Sequence, residues 1–326
     1  MVNKGNFTAA DTLPVKLLQD VEVIEAIKTR GFIPPKHAQI IPTNRCNLKC
    51  SFCSCAEDDR KTEMSSALYR RVIHTLSDLG TEAITITGGG EPLLHKDIAF
   101  ILDYTHGLGI EMGLVTNGLL LSKQDFDLLN KVTWVRISHD DFRPFTREYV
   151  RSLKTVVEAC PDVDWAFSYV VSRNPELSKI KAVINFANDH GFTHVRLVSD
   201  LLDVEHSKVD FVRKALPTLV DVGKVIFQKR TEPERGGACY ICHLKPLIAP
   251  DGKVYTCCGA QYAFKEPSRS LPKELCLGTY EELGYIQGED NILPFDGSIC
   301  DRCYYMDYNR VLKAICTPIT KHEEFV

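Results

Sequence analysis

Apolar and polar positions between residues 38 and 200 repeat in one order, with a short β-rich run followed by a longer run at helical spacing. The short runs predict strands at 38–41, 83–87, 111–116, 132–138, 165–171 and 194–198. The longer runs predict helices at 66–79, 98–108, 123–129, 145–159 and 177–190. Alternating strands and helices pair in parallel through right-handed crossovers. Six units are too few for a closed eight-stranded barrel, so we expect an α/β fold with a partial (β/α)6 barrel.

Beyond residue 200 the pattern changes twice, which predicts a linker and a second, smaller domain. Residues 201–230 carry valine and leucine at roughly helical spacing, and the polar run 231–237 ends them. Farther on, Pro250-Asp-Gly252 lies between two β-prone runs and predicts a hairpin. We therefore expect an amino-terminal extension at 1–37, the barrel at 38–200, a helical linker at 201–235 and a small cysteine-rich domain at 236–326.

Composition and charge indicate an ordinary globular protein. The chain has 326 residues, of which 44% are hydrophobic and 25% are charged. Its net charge is −4 with no run of five like charges, which gives no sign of a nucleic-acid or anionic membrane surface. No stretch reaches 18 consecutive apolar residues, and Met1 to Asp20 lacks the apolar centre of a signal peptide. We expect a cytoplasmic protein with no nucleic acid and no membrane as partner.

Cysteine is the unusual component, with 13 residues concentrated at 46–55 and 239–316. In the cytoplasm such cysteines serve as metal ligands more often than as disulfides. Cys46, Cys50 and Cys53 place three thiolates on one short loop. A four-iron, four-sulfur cluster held by three thiolates leaves one iron open to a small molecule. A structural zinc site is the alternative for closely spaced cysteines.

This spacing, with Phe52 before the third cysteine, resembles the signature of the radical S-adenosylmethionine (SAM) enzymes. In that family the open iron binds the amino and carboxylate groups of SAM. An electron from the cluster then cleaves the sulfonium, and the 5′-deoxyadenosyl radical abstracts a substrate hydrogen. The resemblance implies a SAM-binding [4Fe-4S] cluster, SAM, and a reducing partner such as flavodoxin or ferredoxin. Further family motifs in the expected order argue against zinc.

The first of these motifs, Thr87-Gly-Gly-Gly-Glu-Pro92, follows the second predicted strand. It is similar to the family loop that holds the SAM amino group, and glycine lets a backbone approach a ligand closely. The resemblance implies that SAM contacts Gly88, Gly89, Gly90 and Glu91. The run Val115-Thr-Asn-Gly118 after the third strand is also familiar in these enzymes, although an ordinary Asn-Gly turn would explain it equally well.

The fourth strand ends in Val135-Arg-Ile-Ser-His-Asp140, which is similar to a family strand end that faces the methionyl and ribose groups of SAM. Ser138 is the residue we expect to make that contact. Arg196 lies inside an apolar strand, where its charge needs a partner. The SAM carboxylate or ribose would serve, and so would a salt bridge to a neighbouring strand.

A polar cluster follows the fourth strand, at the rim where a hydrophilic substrate would enter a β/α barrel. A solvated loop is the alternative interpretation of this cluster. Its residues are His139, Asp140, Asp141 and Arg143.

The carboxy-terminal cysteines resemble the twitch domain, the shorter auxiliary-cluster domain of many radical SAM enzymes. The longer SPASM form has further cysteines where this chain has Asp307 and Asn309, so one auxiliary [4Fe-4S] cluster is expected. The resemblance implies Cys239, Cys257, Cys300 and Cys303 as its ligands, with Cys242 as the alternative to Cys239. A zinc ribbon remains open, because two cysteine pairs also satisfy tetrahedral zinc.

Five cysteines have no metal assigned, and one of these five, Cys276, has a possible catalytic role. Cys276 lies where the chain could return towards the barrel mouth, and a thiol there could donate a hydrogen atom to a substrate radical. The net reaction would then be epimerisation. Without such a donor the auxiliary cluster would take an electron, and the product would be oxidised or newly bonded. The other four are Cys55, Cys160, Cys258 and Cys316.

The first 35 residues are too short for the peptide-recognition domain that peptide-modifying relatives carry. The resemblance therefore favours a small polar substrate, a sugar or an aminocyclitol, with a ribosomal peptide as the alternative. A non-enzymatic iron–sulfur or zinc sensor would bind no SAM, and the loop at 88–91 argues against it.

Overall fold

The computed structural model of the chain describes residues 14–229, 234–287 and 292–317. Its strands are β1 (His37–Ile40), β2 (Ala83–Ile86), β3 (Glu111–Thr116), β4 (Trp134–Asp140), β5 (Asp164–Val171), β6 (His194–Ser199), β7 (Val225–Gln228), β8 (Ala238–Cys239), β9 (Leu247–Ile248), β10 (Lys253–Tyr255), β11 (Cys276–Thr279) and β12 (Phe295–Asp296). Its helices are α1 (Val15–Leu18), α2 (Val21–Arg30), α3 (Ser66–Asp78), α4 (Ile98–Gly107), α5 (Phe126–Leu129), α6 (Arg147–Ala159), α7 (Leu177–Asp189), α8 (Val209–Ala215), α9 (Ile241–Leu244) and α10 (Met306–Cys316).

The predicted parallel sheet is confirmed. Strands β1 to β6 are parallel neighbours in chain order, with the predicted helices between them. Helix α5 is shorter than the predicted 123–129, because the Asp125 side chain accepts a hydrogen bond from Asp127 N at 2.9 Å and starts the helix later. The fold is the mixed α/β fold of a partial barrel, whose carboxyl strand ends share one edge.

A seventh strand was not predicted. Residues 225–228 belong to the segment that we expected to be helical, but they form β7, which pairs in parallel with β6. Helix α8 occupies only 209–215 of that segment. The sequence Val225-Ile-Phe-Gln is rich in β-forming residues, which favours a strand once β6 offers an open edge. The segment between barrel and cysteine-rich region thus extends the sheet.

The predicted hairpin around Gly252 is present, and it joins the barrel sheet. Strands β9 and β10 are antiparallel, and Gly252 has a φ of +84° in the turn between them. Strand β9 also pairs in parallel with β1. The described residues therefore form one sheet in the order β11-β10-β9-β1-β2-β3-β4-β5-β6-β7, and β8 and β12 form a separate pair.

The amino-terminal helices pack against the cysteine-rich region. Leu17, Val23 and Ile27 are buried in one apolar cluster with Ile241 and Leu312. Helix α2 begins where the Asp20 carboxylate accepts a hydrogen bond from Val23 N at 3.1 Å. Segments near the two ends of the described part of the chain thus share a core. None of the helices in the described ranges has the length and apolar character needed to cross a bilayer.

Candidate active site

The three cysteines of the first motif lie on one loop that follows β1. Cys46, Cys50 and Cys53 are half-buried, and Cys53 N donates a hydrogen bond to Cys50 O at 3.2 Å. Burial raises the pKa of the Cys46 thiol and raises that of Cys50 to about 11, although the nearby Arg143 opposes the shift at Cys50. Without a bound metal the Cys46 and Cys50 thiols are therefore protonated at pH 7, and metal binding would release their protons.

The glycine motif after β2 packs directly against the start of this cysteine loop. Gly90 N donates to Thr43 O at 3.0 Å, and Glu91 N donates to Arg45 O at 2.7 Å. A methyl group on Gly90 would lie 2.0 Å from Arg45 O. One on Gly89 would lie 2.1 Å from Asn44 Oδ1. Only glycine permits this approach of the two backbones, which fixes the cysteine loop over the sheet.

Glu91 ties the glycine motif to the end of β3. Its buried carboxylate accepts hydrogen bonds from Thr116 Oγ1 at 2.6 Å, Asn117 N at 2.7 Å and Leu93 N at 3.2 Å. Burial raises the pKa of Glu91, and these hydrogen bonds oppose the shift. The geometry therefore gives Glu91 a positioning role in addition to the predicted contact with SAM.

Asn117 and Arg143 join the loops after β1, β3 and β4. Asn117 Nδ2 donates to Asn47 Oδ1, inside the cysteine loop, at 2.7 Å. Arg143 donates to Asn117 O at 3.1 Å and to Asp140 Oδ2 at 2.7 Å, and its second terminal nitrogen donates to Ser138 O. From the sequence, Asn117 could be explained by a turn and Arg143 by a substrate rim, because hydrogen bonds between distant segments leave no local signal.

The cluster after β4 is not a solvated loop. His139, Asp140 and Asp141 are buried, with exposed fractions of 1%, 1% and 4%. The Asp141 carboxylate accepts hydrogen bonds from Tyr169 OH at 2.8 Å and from Ser172 N at 3.1 Å. These groups hold the carboxyl end of β4 against β5.

Ser138 and Arg196 lie on the inner face of the sheet, at the same height along the barrel axis. Ser138 pairs with Ser168, which pairs with Arg196, across β4, β5 and β6. Arg196 is buried and lines a cavity of about 380 Å³, together with Arg136 and His194. The strand residues that line this cavity come from the amino-terminal halves of their strands, whereas the cysteine loop and the glycine motif follow the carboxyl ends. Contact between Arg196 and SAM therefore stays a prediction.

The four predicted auxiliary ligands surround one small cavity in the cysteine-rich region. Four glycines also line it, and their lack of side chains lets the backbone approach the cysteines. A methyl group on Gly236 would lie 2.9 Å from the Cβ of Cys300, and one on Gly297 would lie 3.3 Å from the Cβ of Cys239. The four cysteines in this wall are Cys239, Cys257, Cys300 and Cys303.

Cys242 does not line this cavity, although its thiol is close to the Cys239 thiol and donates to Cys239 O at 3.1 Å. The geometry therefore favours Cys239 over Cys242. Burial raises the pKa of Cys300 to about 12 and that of Cys303 to about 11. Asn309 was missed by sequence reasoning: its buried amide accepts from Tyr240 N at 2.8 Å and lies 4.0 Å from Cys303 Sγ.

Cys276 lies on β11, the outermost strand of the sheet, and its Sγ donates to Gly278 O at 3.7 Å. This strand is separated from β1 by β10 and β9. Cys258 lies next to the auxiliary cysteines, with Sγ 2.7 Å from Tyr305 OH, and it lines a cavity of about 370 Å³. The structure thus presents Cys258, rather than Cys276, to an internal cavity.

Arg269 connects the cysteine-rich region to the first cysteine loop. Its guanidinium donates to Cys53 O at 3.0 Å and to Ser51 O at 3.1 Å. Its φ of +57° is left-handed, a conformation that is strained for a residue other than glycine. Nearby, Ser54 Oγ donates to Gln261 Oε1 at 2.7 Å. The segment 261–269 therefore holds the cysteine loop from outside the barrel.

Comparison with known sequences agrees with this geometry. Residues 40–198 match the profile of the Radical SAM superfamily. This part of the chain belongs to the radical SAM superfamily. The matched segment runs from the end of β1 into β6, so it contains the cysteine loop, the glycine motif and the end of β4.

Two curated relatives match parts of this radical SAM domain. A probable GTP 3′,8-cyclase of Methanopyrus kandleri is 30% identical over 180 residues, which are 54% of this chain and 56% of that protein. The GTP 3′,8-cyclase of Desulforamulus reducens is 35% identical over 123 residues, 34% of this chain and 38% of that protein. The chain therefore matches about half or less of the length of these relatives.

The structure of SuiB from Streptococcus suis extends the likeness over nearly the whole chain. The SAM-bound form has a TM-score of 0.57 at 16% identity and covers 94% of this chain and 83% of SuiB. A second SuiB structure contains its precursor peptide SuiA, with a TM-score of 0.56. At this identity the likeness establishes the fold, including the small region with antiparallel strands.

Proposed function

We propose that this chain is a radical SAM enzyme that acts on a small polar substrate of the sugar or aminocyclitol type. The observation that carries the proposal is the convergence of three half-buried cysteines, the glycine motif and Asn117 at the carboxyl ends of β1, β2 and β3. A [4Fe-4S] cluster and SAM bound there supply reductive cleavage to a 5′-deoxyadenosyl radical that abstracts a substrate hydrogen. The active sites of β/α barrels lie at this edge.

The residues of the site form two groups, one that would bind the cluster and one that would bind SAM. Cys46, Cys50 and Cys53 would bind three irons of the cluster. The glycine backbone at 88–90 and Glu91 would orient the SAM amino group. Phe52 and Ser138 would contact the remainder of SAM, as the family resemblance implies. Glu91 and Asn117 keep the loops in register through their bonds to Thr116 and Asn47.

We propose that the second cysteine group holds an auxiliary [4Fe-4S] cluster. Its ligands are Cys239, Cys257, Cys300 and Cys303, which line one cavity. A zinc ion with bonds of about 2.3 Å draws its sulfurs close together. Among the described residues, no three His, Cys, Asp or Glu side chains are arranged to hold a single metal ion. The choice of a cluster over zinc therefore rests on the resemblance of this region to the twitch domain.

The reaction outcome depends on what meets the substrate radical. A thiol that donates a hydrogen atom gives epimerisation, and its own radical then needs one electron and one proton from the reducing partner and solvent. Cys258 suits this role better than Cys276, because Cys258 lines an internal cavity beside the auxiliary cysteines. If no thiol donates, the substrate radical loses an electron to the auxiliary cluster and is oxidised.

Modification of a ribosomal peptide is the second candidate. The specific observation in its favour is the fold shared with SuiB, which has been solved with its precursor peptide. A peptide substrate would give a product whose mass changes by two hydrogens on cross-linking, or a stereochemical change with no change in mass.

The test is anaerobic SAM cleavage by protein reconstituted with iron and sulfide and reduced with dithionite. We expect 5′-deoxyadenosine from the native chain and none from Cys50→Ala. Cys316→Ala, a half-buried cysteine outside both proposed ligand sets, serves as the matched control and should retain activity. Absence of 5′-deoxyadenosine under every condition would favour a non-enzymatic sensor.

A further test separates the reaction outcomes with candidate substrates in deuterated water. Deuterium entering the product carbon with the native chain, but not with Cys258→Ala, would establish epimerisation with Cys258 as donor. If Cys276→Ala, and not Cys258→Ala, abolishes deuterium incorporation, Cys276 on β11 is the hydrogen-atom donor. A product that is two hydrogens lighter would establish oxidation.

A further inference from the structure

Two adjoining cavities of about 380 and 370 Å³ lie at the amino-terminal ends of the barrel strands. Both are lined by Lys16, His37 and Ala83, so they meet at the start of β1 and β2. The first cavity extends across β3 to β6, and the second extends to α9 and Cys258. Each has the volume of an ordinary small-molecule site.

Besides Lys16 and Lys36, which line the cavities near α1 and the start of β1, cationic side chains come from three separate elements. Arg136 comes from β4, Arg196 from β6 and Lys245 from the end of α9. Between the two arginine strands, β5 contributes the small residues Ala166 and Ser168, which pair with Arg136 and Arg196 respectively. Small residues at these positions leave room between the two guanidinium groups.

The acidic lining residues described by the structure lie towards the outer ends of the cavities. Glu111 and Asp164 are exposed first residues of their strands, and Glu111 accepts a hydrogen bond from Thr133 Oγ1. Asp20 and Glu82 both pair with Lys36, at 2.6 and 2.7 Å. The negative charge is thus at the rim, and the inner wall is positive.

The neighbouring titratable groups respond to this positive inner wall. Burial lowers the pKa of Lys245, and Arg136 and Arg196 lower it further. Burial, Arg196 and Arg136 lower the pKa of His194 to about 3. Both histidines in the wall, His37 and His194, are therefore neutral at pH 7 and can donate or accept a hydrogen bond without adding charge.

We propose that the space formed by these two adjoining cavities binds an anionic group of the substrate, a phosphate or a carboxylate, between Arg136 and Arg196 of the first cavity and Lys245 of the second. Guanidinium groups bind such anions through paired hydrogen bonds, and the buried setting strengthens each one. The inference rests on the proposed function, because it refines the small polar substrate to one that carries negative charge. Cys258 lines the second cavity together with Lys245, so an anion held by Lys245 would lie on the same side of this space as Cys258.

Isothermal titration calorimetry on the reconstituted protein tests this, with pyrophosphate and citrate as probes of phosphate and carboxylate chemistry and glucose as a neutral control. We expect one anion to bind and glucose not to bind. Arg136→Gln and Lys245→Gln should each weaken binding by at least about tenfold, the effect of one lost charged hydrogen bond. Arg147→Gln, at the exposed start of α6, is the matched control and should bind as the native chain does.

Binding of pyrophosphate alone would identify phosphate chemistry, and binding of citrate alone would identify carboxylate chemistry. The inference would be overturned if neither anion bound, or if both interior variants bound as tightly as Arg147→Gln. Repeating the titration on Cys50→Ala separates the two proposals. Anion binding that persists there, while the native chain makes no 5′-deoxyadenosine, would contradict only the radical SAM activity.

Discussion

At Gly90 the space for a single methyl group is already occupied by the backbone. Its Cβ would lie 2.0 Å from Arg45 O, so Gly90→Ala must push apart the glycine motif and the cysteine loop. We expect a loss of at least about 2 kcal/mol in the free energy of unfolding, together with loss of SAM cleavage. Urea unfolding of the metal-free protein and a 5′-deoxyadenosine assay would measure the two effects.

Gly107→Ala is the matched control for this substitution. Gly107 is the last residue of α4, and its Cβ would meet nothing within 4 Å. Alanine there should leave SAM cleavage unchanged and should raise stability slightly, because alanine favours the helix. Equal stability of the two alanine variants would show that the close approach at Gly90 has no energetic consequence.

Residue types and spacing identified the cysteines and the glycine motif, because those signals lie within short segments. They could not identify Asn117, Arg269 or Asn309 in their roles. Each of these side chains acts on a segment that is remote in sequence, as Arg269 does on Cys53. In the sequence, Asn309 showed only that a cysteine of the longer SPASM form is absent at this position.

Strands and helices were predictable where apolar β-rich runs and helical runs alternated regularly. Which strands pair with each other was harder to predict. The turn at Gly252 predicted the hairpin, but the parallel pairing of β9 with β1 depends on a long-range contact. Strand β7 was missed because Val222, Val225 and their neighbours fit helical spacing as well as a strand. Hydrogen bonding to the open edge of β6 favours the strand over the helix.

The segment that carries Arg269 should control how tightly the cysteine loop is held. Arg269→Ala removes two hydrogen bonds to the loop but keeps its strained backbone, whereas Arg269→Gly also relieves that strain. We expect EDTA to bleach the reconstituted protein several-fold faster in both variants, with Arg269→Gly the more stable fold. Bleaching would be followed by the visible absorbance of the clusters.

Lys265→Ala is the control, because Lys265 is exposed in the same segment. It should bleach at the native rate. Bleaching of both Arg269 variants at the rate of Lys265→Ala would contradict a role for the segment in holding the loop.

For the whole molecule, the buried histidine at the end of β4 makes stability depend on pH. Burial lowers the pKa of His139 to about 4, and Arg143 contributes. The unfolded chain binds a proton near pH 6.5, so His139 stabilises the fold above that pH and loses its contribution as pH falls towards 4. We expect a loss of up to about 3 kcal/mol from this residue.

Urea unfolding of the metal-free protein between pH 7 and pH 4 measures this loss, with His139→Gln as the comparison. The variant should be less stable at pH 7, because it loses the ring contact with Tyr169, at a centroid distance of 5.6 Å. Its stability should fall less steeply with acid. Identical pH slopes in the two proteins would exclude His139 as the source.

For the whole molecule we expect one chain with two clusters, one of them open to SAM. Electron paramagnetic resonance of the reduced, reconstituted protein tests it most directly. We expect about eight irons per chain and two overlapping signals, one of which shifts when SAM is added. Cys50→Ala should lose the shifting signal and Cys303→Ala the other. A single signal that SAM leaves unchanged, or a shift that survives in Cys50→Ala, would contradict the account.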